Sequence, residues 1–191
     1  SRPDLGINAL RAGSWLVQRL DEGLAATFDK VDHLYDLPRS TFEPTAHRAG
    51  VPNVNTIPPE DVFCFDCRVL PHYSLDSVLA FIDAQCRRVD GTYGTTTEML
   101  VRNRQDAPPP TLTDAPVVEL LSRAIREVRG VEPTTVGIGG MTVASPFREK
   151  GFAAAVWMTS AQTAHQVNEV CAIADMVADA QVFAHVFMDG V

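Results

Sequence analysis

His165 is the residue whose surroundings most suggest chemistry. It lies in a polar stretch, residues 163–169, that follows an apolar run at 153–158. A strand, a turn and a helix in that order would put the imidazole at the carboxyl end of a strand, where α/β proteins bind ligands. Asn168 and Glu169 could cap the helix or support the imidazole, and a supported imidazole suits a divalent metal such as zinc. A surface histidine in a loop is the alternative that these residues leave open.

A glycine pair, Gly139 and Gly140, separates a predicted short strand from a predicted helix at residues 142–150. Free backbone N–H groups at such a turn, with the positive end of the helix dipole, bind phosphate or a carboxylate. The pattern is not a dinucleotide fingerprint, because the third glycine and the downstream acid are absent, and no Gly-Lys-Ser/Thr follows to make a P-loop. A tight turn that needs glycine for backbone reasons fits the sequence equally well.

Arg68 and Asp66 share one face of a predicted strand at residues 61–70. They could simply form an ion pair, or the guanidinium could bind a ligand carboxylate through two parallel hydrogen bonds. Cys64 and Cys67 stand three apart on the same strand, so they face opposite sides and cannot chelate one ion without a turn. We expect all the cysteines to be reduced thiols in a cytoplasmic protein. They are Cys64, Cys67, Cys86 and Cys171.

The first part of the chain predicts an α+β domain. Apolar positions at helical spacing predict helices at about residues 7–29 and 74–90. Alternating or β-branched stretches predict strands at 40–48, 61–70 and 95–104. This order is most of a ferredoxin-like βαββαβ unit whose first strand is missing.

The proline-rich segment 106–110 predicts a stiff linker between two domains, 1–105 and 106–191. Beyond it, helices are predicted at 115–129, 142–150 and 173–188, with strands at 134–138 and 153–158. Thr113 or Asp114 is expected to cap the first of these helices. Helices that alternate with strands are typical of a layered α/β domain.

The composition is that of a globular protein, with 46% hydrophobic and 21% charged residues in 191. The net charge of −8 argues against nucleic acid as a partner. No apolar run approaches the ~20 residues of a membrane span, and no signal peptide is visible. The chain begins with Ser-Arg-Pro rather than Met, which favours a fragment, a processed form or a trimmed chain.

Four stretches, in order along nearly the whole chain, resemble the M20 metallopeptidase superfamily. They are Ser-Arg-Pro-Asp-Leu-Gly-Ile-Asn-Ala at 1–9, Asn-Thr-Ile-Pro at 55–58 with Asp-Cys-Arg at 66–68, Gly-Gly-Met-Thr at 139–142 with Arg-Glu-Lys-Gly at 148–151, and Ala-His-Gln-Val-Asn-Glu at 164–169. The last two most resemble the acetylornithine deacetylase and succinyl-diaminopimelate desuccinylase branch. Many members carry an acidic residue where this chain has Val143.

The resemblance implies a lid or dimerisation domain at 1–105, followed by the C-terminal part of a zinc-peptidase-like catalytic domain at 106–191. The family holds two divalent metals, usually zinc, with cobalt or manganese as alternatives, which activate water to hydrolyse an amide bond. The resemblance also implies one metal ligand and a set of substrate contacts in this chain. The metal ligand is His165, and the substrate contacts are Asn55, Arg68, Gly140, Met141 and Thr142.

The family takes its other metal ligands and its general base from an H-x-D motif, a bridging Asp and a Glu-Glu pair ahead of the lid. These motifs are absent from this sequence. The resemblance therefore implies that an upstream segment or companion chain supplies them, that this chain alone has no catalytic residue and is inactive, and that the lid forms a homodimer. The implied substrate is an N-succinyl or N-acetyl amino acid. A non-enzymatic dimerisation or ligand-binding module, a relative without metals, and an M20 carboxypeptidase or dipeptidase remain alternatives.

Overall fold

The computed structural model describes residues 2–161, 163 and 166–189. The chain divides into two compact units, Ser1–Ala107 and Pro108–Val191. Each unit is described by itself below. Within the described residues, no helix is both long and apolar enough to cross a bilayer.

Two long helices dominate the first unit, after a 3-10 turn at Pro3–Leu5. Helix α1 spans Ala9–Thr27 and begins where the Asn8 side chain accepts a hydrogen bond from the Arg11 N–H at 3.0 Å. Helix α2 spans Leu75–Tyr93 and ends three residues later than predicted. Ser74 caps its start as predicted, because its hydroxyl accepts from the Ser77 N–H at 3.2 Å.

An antiparallel hairpin packs against these helices. Strands β1, Thr41–Ala49, and β2, Asp61–Arg68, pair with an irregularity between Pro44 and Ala46. A proline lacks the N–H that a ladder needs, so a bulge at this point is expected. Alternate residues of β2 face the helices, and the unit's core follows from that packing. Its buried members are Ala12, Leu16, Leu20, Leu24, Phe28, Phe42, Val78, Cys86 and Val89.

The predicted strand at 95–104 has no ladder partner in the part of the chain that the structure describes. Its start is held by Asp90 of α2 instead. The Asp90 carboxylate accepts hydrogen bonds from the Thr95 hydroxyl at 2.8 Å and from the Thr97 N–H and hydroxyl at 3.0 and 2.7 Å. The mixed α/β class is confirmed, but the described sheet has two strands, because a strand forms only where a second backbone completes its hydrogen bonds.

The second unit is built on two packed helices, α3, Pro116–Arg129, and α5, Ile173–Asp189, with the short α4, Ser145–Glu149, between them. Their shared core is small and consists of Leu121, Ala124, Ile125 and Val182. The predicted side-chain cap of α3 is wrong: Ala115 precedes the helix without a capping bond, and Pro116 fills the first turn.

The strands predicted at 134–138 and 153–158 carry no ladder among the described residues. Gly137 makes one isolated bridge. Residues 155–159 nevertheless alternate as a strand would: Ala155 and Trp157 pack on the core, while Val156 and Met158 are exposed. The helix predicted at 142–150 is observed only over Ser145–Glu149.

Candidate functional site

Arg68 is the last residue of β2, opposite Thr41 in the hairpin. Its Nε donates to Asp66 Oδ2 at 2.7 Å, and the two side chains are 57% and 49% exposed. The ion pair foreseen from the strand pattern is therefore present. More than half of the Arg68 side-chain surface is exposed.

Asn55 lies in the turn between β1 and β2, where the Thr56 N–H donates to the Asn53 carbonyl at 3.2 Å. This turn joins the end of β1 to Asp61, whereas Arg68 is at the other end of the hairpin. Eight strand residues span roughly 23 Å. Within the first unit, the structure does not bring Asn55 and Arg68 together.

The glycine turn of the second unit leads into α4. Thr142 organises it, because its hydroxyl accepts from the Ala144 N–H at 3.3 Å and its carbonyl accepts from the Ser145 N–H at 3.0 Å. Met141 is 69% exposed. In the described chain, nothing lies within 4 Å of a Cβ built on Gly140, and its φ is not positive. Neither crowding nor a left-handed backbone accounts for glycine there.

The long helix whose dipole was expected to help this turn bind an anion is not observed. The sequence predicts a helix of about nine residues that begins at Thr142, but α4 has only 5 residues and begins at Ser145. A helix this short has little dipole to offer a ligand. What remains is an exposed turn with open space on the Cβ side of Gly140.

His165, the predicted metal ligand, lies outside the described residues. The loop around it, residues 163–170, is closed by Thr163. The Thr163 hydroxyl accepts from the Val170 N–H at 3.2 Å and approaches the Val170 carbonyl at 3.4 Å. The Gln166 N–H also donates to the Thr163 carbonyl at 3.0 Å. Asn168 has φ +63°, a left-handed conformation that asparagine tolerates better than most residues.

The segment that leads to this loop, residues 153–159, is held at both ends. At its start, the Thr111 hydroxyl bonds the Ala154 carbonyl at 2.7 Å and the Ala154 N–H at 3.0 Å. At its end, Asp179 of α5 accepts from the Thr159 N–H and hydroxyl, both at 2.7 Å, and from the Trp157 indole N–H at 3.2 Å. Burial alone would raise the pKa of Asp179, but these hydrogen bonds outweigh it and hold the pKa below its ordinary value.

The metal centre implied by the resemblance needs three or four ligands per ion. The part of the chain that the structure describes contains no group of three or more His, Cys, Asp or Glu placed to hold one. Cys64 is exposed and Cys67 half-buried on opposite faces of β2, as predicted, and burial raises the pKa of the Cys67 thiol. The described residues by themselves do not supply such a centre.

Three described histidines pair with carboxylates instead. His47 Nε2 lies 2.8 Å from Asp61, His72 Nε2 lies 2.8 Å from Asp32, and His185 Nδ1 lies 3.2 Å from Glu127 across α3 and α5. Each pair joins two segments that are separate in sequence.

Sequence reasoning missed both aspartates that hold extended segments, Asp90 and Asp179. Asp90 could have been found, because Thr95 and Thr97 follow it closely and such side chains often bond backbone near a helix end. No local pattern marks Asp179, because its partners lie 20 and 22 residues earlier.

Comparison with known proteins gives a family match for the first unit. Residues 1–93 match the family model described as the peptidase dimerisation domain of M20 peptidases. The chain is also similar in fold to an M20 family metallo-carboxypeptidase from Sulfolobus solfataricus, with a TM-score of 0.61 at 17% identity over 87% of this chain and 40% of that one.

Two curated relatives align with almost the whole chain. Both are described as uncharacterised metallohydrolases. The one from Methanocaldococcus jannaschii is 35% identical over 194 residues, and the one from Methanococcus maripaludis is 32% identical over 202 residues. Each alignment covers 96% of this chain and 47% of the relative. The chain thus spans about half the length of the curated relatives it matches.

Proposed function

Because residues 1–93 match the M20 peptidase dimerisation domain, we propose that the chain is part of an M20 metal-dependent hydrolase that cleaves N-succinyl or N-acetyl amino acids. That match is the observation that carries the proposal. The metallohydrolase relatives, which align over 96% of the chain, support the hydrolase class. The preference for acyl amino acids rests on the motifs at 139–142 and 164–169, which resemble the deacetylase and desuccinylase branch.

Arg68 is proposed to hold the substrate's carboxylate. The guanidinium is the side chain best shaped to bind a carboxylate through two parallel hydrogen bonds. Its bond to Asp66 fixes its orientation at the end of β2, while 57% of the side chain remains exposed. Asn55 is proposed as a second polar contact with substrate. Because it lies at the other end of the hairpin, roughly 23 Å from Arg68, the two residues would reach one small substrate from different copies of the lid.

Gly140, Met141 and Thr142 are proposed to contact the substrate as well. The open space beside Gly140 allows a ligand to approach the backbone closely. Thr142 keeps the turn fixed through its bonds to Ala144 and Ser145. Backbone N–H groups, rather than a helix dipole, would supply the contacts.

His165 is proposed to bind one of two divalent ions, with zinc, cobalt and manganese as candidates. The remaining ligands and the general base are proposed to come from another segment or a companion chain. The ions, when bound, polarise the scissile carbonyl and lower the pKa of water. We further propose that residues 1–105 form a lid that pairs two copies of the protein and that 106–191 belong to the catalytic domain.

The test is an activity screen of the complete protein after chelation and reconstitution with zinc, cobalt or manganese. N-succinyl and N-acetyl amino acids are offered beside dipeptides and longer peptides with free carboxyl termini. We expect metal-dependent hydrolysis of the acyl amino acids, and none by the 191-residue chain alone. Cleavage of peptides only would favour a carboxypeptidase or dipeptidase, and no cleavage with any metal would favour a non-enzymatic module.

Arg68→Ala sharpens this screen. Loss of a charge-assisted contact should lower kcat/KM by about ten- to more than a hundredfold, equivalent to roughly 1.5–3 kcal/mol. Arg68→Lys should restore only part of the rate, because an ammonium cannot make the paired contact. Arg87→Ala is the matched control, since Arg87 is also an exposed arginine of the first unit paired with an aspartate, Asp83. Equal rates in the Arg68 and Arg87 variants would remove Arg68 from the site.

A further inference from the structure

We infer that Asp179 is a positioning residue. It holds Thr159, the last residue of segment 153–159, on helix α5 and so determines where the chain begins its path to loop 163–170. The inference rests on the proposed function in one respect, because the group that this loop carries in that proposal is His165. The argument itself uses described residues on either side of it.

The contacts of Asp179 are numerous and specific. One oxygen accepts from the Thr159 N–H at 2.7 Å, and the other accepts from the Thr159 hydroxyl at 2.7 Å and the Trp157 indole at 3.2 Å. An ionised carboxylate is the side chain that can accept from all these donors at once, since it has no donor of its own to conflict with them. Helix α5 thereby holds a backbone position 20 residues earlier in the chain.

The register of the held segment is also fixed by packing. Trp157 lies against the core formed by α3 and α5, while its neighbours Val156 and Met158 are 50% and 69% exposed. A shift by one residue would turn Trp157 outward and bring its neighbours in. Thr111 holds the start of the segment at Ala154, so Asp179 determines the position of its other end.

Described residues near the two ends of the loop beyond this segment bond one another. The Thr163 hydroxyl and carbonyl bond the Val170 and Gln166 N–H groups at 3.2 and 3.0 Å, so the two ends of the loop lie together. Helix α5 begins at Ile173, three residues after Val170. The Val170 end of the loop thus lies three residues before α5 begins, and Thr159, which Asp179 holds, lies four residues before Thr163.

A natural control lies one turn away on the same helix. Asp175 is also a half-buried aspartate of α5, but it binds Arg129 of α3 at 3.0 Å. Its loss should weaken the contact between the two helices without releasing the segment. A comparison of the two aspartates thus separates positioning of the loop from general stability of the unit.

The experiment is hydrogen–deuterium exchange on the metal-free 191-residue chain, with amides resolved by NMR. In Asp179→Ala, the amides of Thr159, Gln166 and Val170 should exchange at least about tenfold faster, while those of α3 keep their rates. In Asp175→Ala the same loop amides should keep wild-type rates. Unchanged loop exchange in Asp179→Ala, or equal acceleration in Asp175→Ala, would overturn the inference.

Two conservative variants keep the test decisive if Asp179→Ala does not fold. Asp179→Asn offers one carbonyl oxygen and places an NH₂ against a donor, so it should restore protection only in part. Thr159→Val removes the hydroxyl donor and should accelerate exchange at Val170 by less than Asp179→Asn does. If the exchange rates stayed unchanged in both variants, the inference would be contradicted. Because the readout needs neither metal nor substrate, it stands or fails separately from the proposed hydrolase activity.

Discussion

Each unit contains an aspartate on a helix that accepts three hydrogen bonds from an extended segment, but the two segments relate to their helices differently. Asp90 binds Thr95 and Thr97, which follow 5 and 7 residues later. Asp179 binds Trp157 and Thr159, which precede it by 22 and 20 residues. In both, hydrogen bonds outweigh burial and hold the carboxyl pKa below its ordinary value.

The difference shows how the same chemistry serves two purposes. The Asp90 contacts direct the chain as it leaves α2, so their effect stays local. The Asp179 contacts close a long stretch of chain that contains the loop 163–170, so we infer that they fix the point from which the chain runs towards that loop. We therefore expect loss of Asp90 to affect stability alone, and loss of Asp179 to affect the loop as well.

The largest expected effect distinguishes the cores of the two units. Leu24 is fully buried in the first unit and Val182 in the second. Leu24→Ala should cost about 2–5 kcal/mol, and Val182→Ala, which removes less, about 2 kcal/mol. Denaturant unfolding can be followed separately by the fluorescence of Trp15 and Trp157, the chain's two tryptophans, one in each unit. If both signals shift together in each variant, the units do not unfold independently.

The next effect compares the aspartates themselves. Asp90→Ala and Asp179→Ala each leave hydrogen-bond donors without an acceptor and should cost about 1–3 kcal/mol in free energy of unfolding. Trp157 emission should shift only in Asp179→Ala, because its indole N–H loses its partner there. A shift in Trp157 emission in Asp90→Ala would contradict the separation of the two roles.

A smaller effect tests a type of helix ending that occurs in both units, a glycine with positive φ. Helix α2 ends at Gly94 with φ +71°, and α3 ends at Gly130 with φ +65°. A Cβ at Gly94 would meet Ile7 Cδ1 at an ordinary 3.8 Å, and one at Gly130 would meet nothing within 4 Å. Gly94→Ala and Gly130→Ala should therefore each cost about 1 kcal/mol from backbone strain. A much larger loss at either site, measured by thermal unfolding, would indicate contacts that the structure does not show.

The smallest effect is pH dependence. Because folding lowers the pKa of Asp90 and Asp179, the stability they contribute is fully present above the ordinary carboxyl pKa of about 4 and is lost as the pH falls through the lowered value. Melting temperatures measured between about pH 6 and pH 2 should fall less steeply for Asp90→Asn and Asp179→Asn than for the wild type. Parallel curves for all three proteins would show that ionisation of these carboxylates does not stabilise the folded state.

The helices of this protein could be predicted from its sequence because helix signals are local. Ser74 marks the start of α2, and apolar spacing gives α1 and α5 to within about two residues. Alternation predicted strand β2, and its pairing with β1 came from the structure. The strands predicted at 95–104, 134–138 and 153–158 form no ladder among the described residues. The sequence could not show this, because strand pairing depends on a second backbone distant in sequence.

The candidate site was predicted less completely for the same reason. The Arg68–Asp66 pair follows from two residues on one strand face. Separation of Arg68 from Asn55 follows from the pairing of β1 with β2, whereas the sequence predicted the two strands without their pairing. The contacts of Asp179 with Trp157 and Thr159 cannot be foreseen, since nothing local distinguishes that aspartate from Asp175. The substrate roles of Arg68, Asn55 and the Gly140 turn, and the metal role of His165, stay predictions.

The most direct test of the proposed function is the metal content of the complete protein after reconstitution with zinc, compared among the wild type, His165→Ala and His185→Ala. His185 is the matched control, because its imidazole pairs with Glu127 on the helix surface. We predict about two ions per chain in the wild type and in His185→Ala, and a clear loss of metal in His165→Ala with an unchanged circular dichroism spectrum. Full metal content in His165→Ala, or no bound metal in the wild type, would contradict the account.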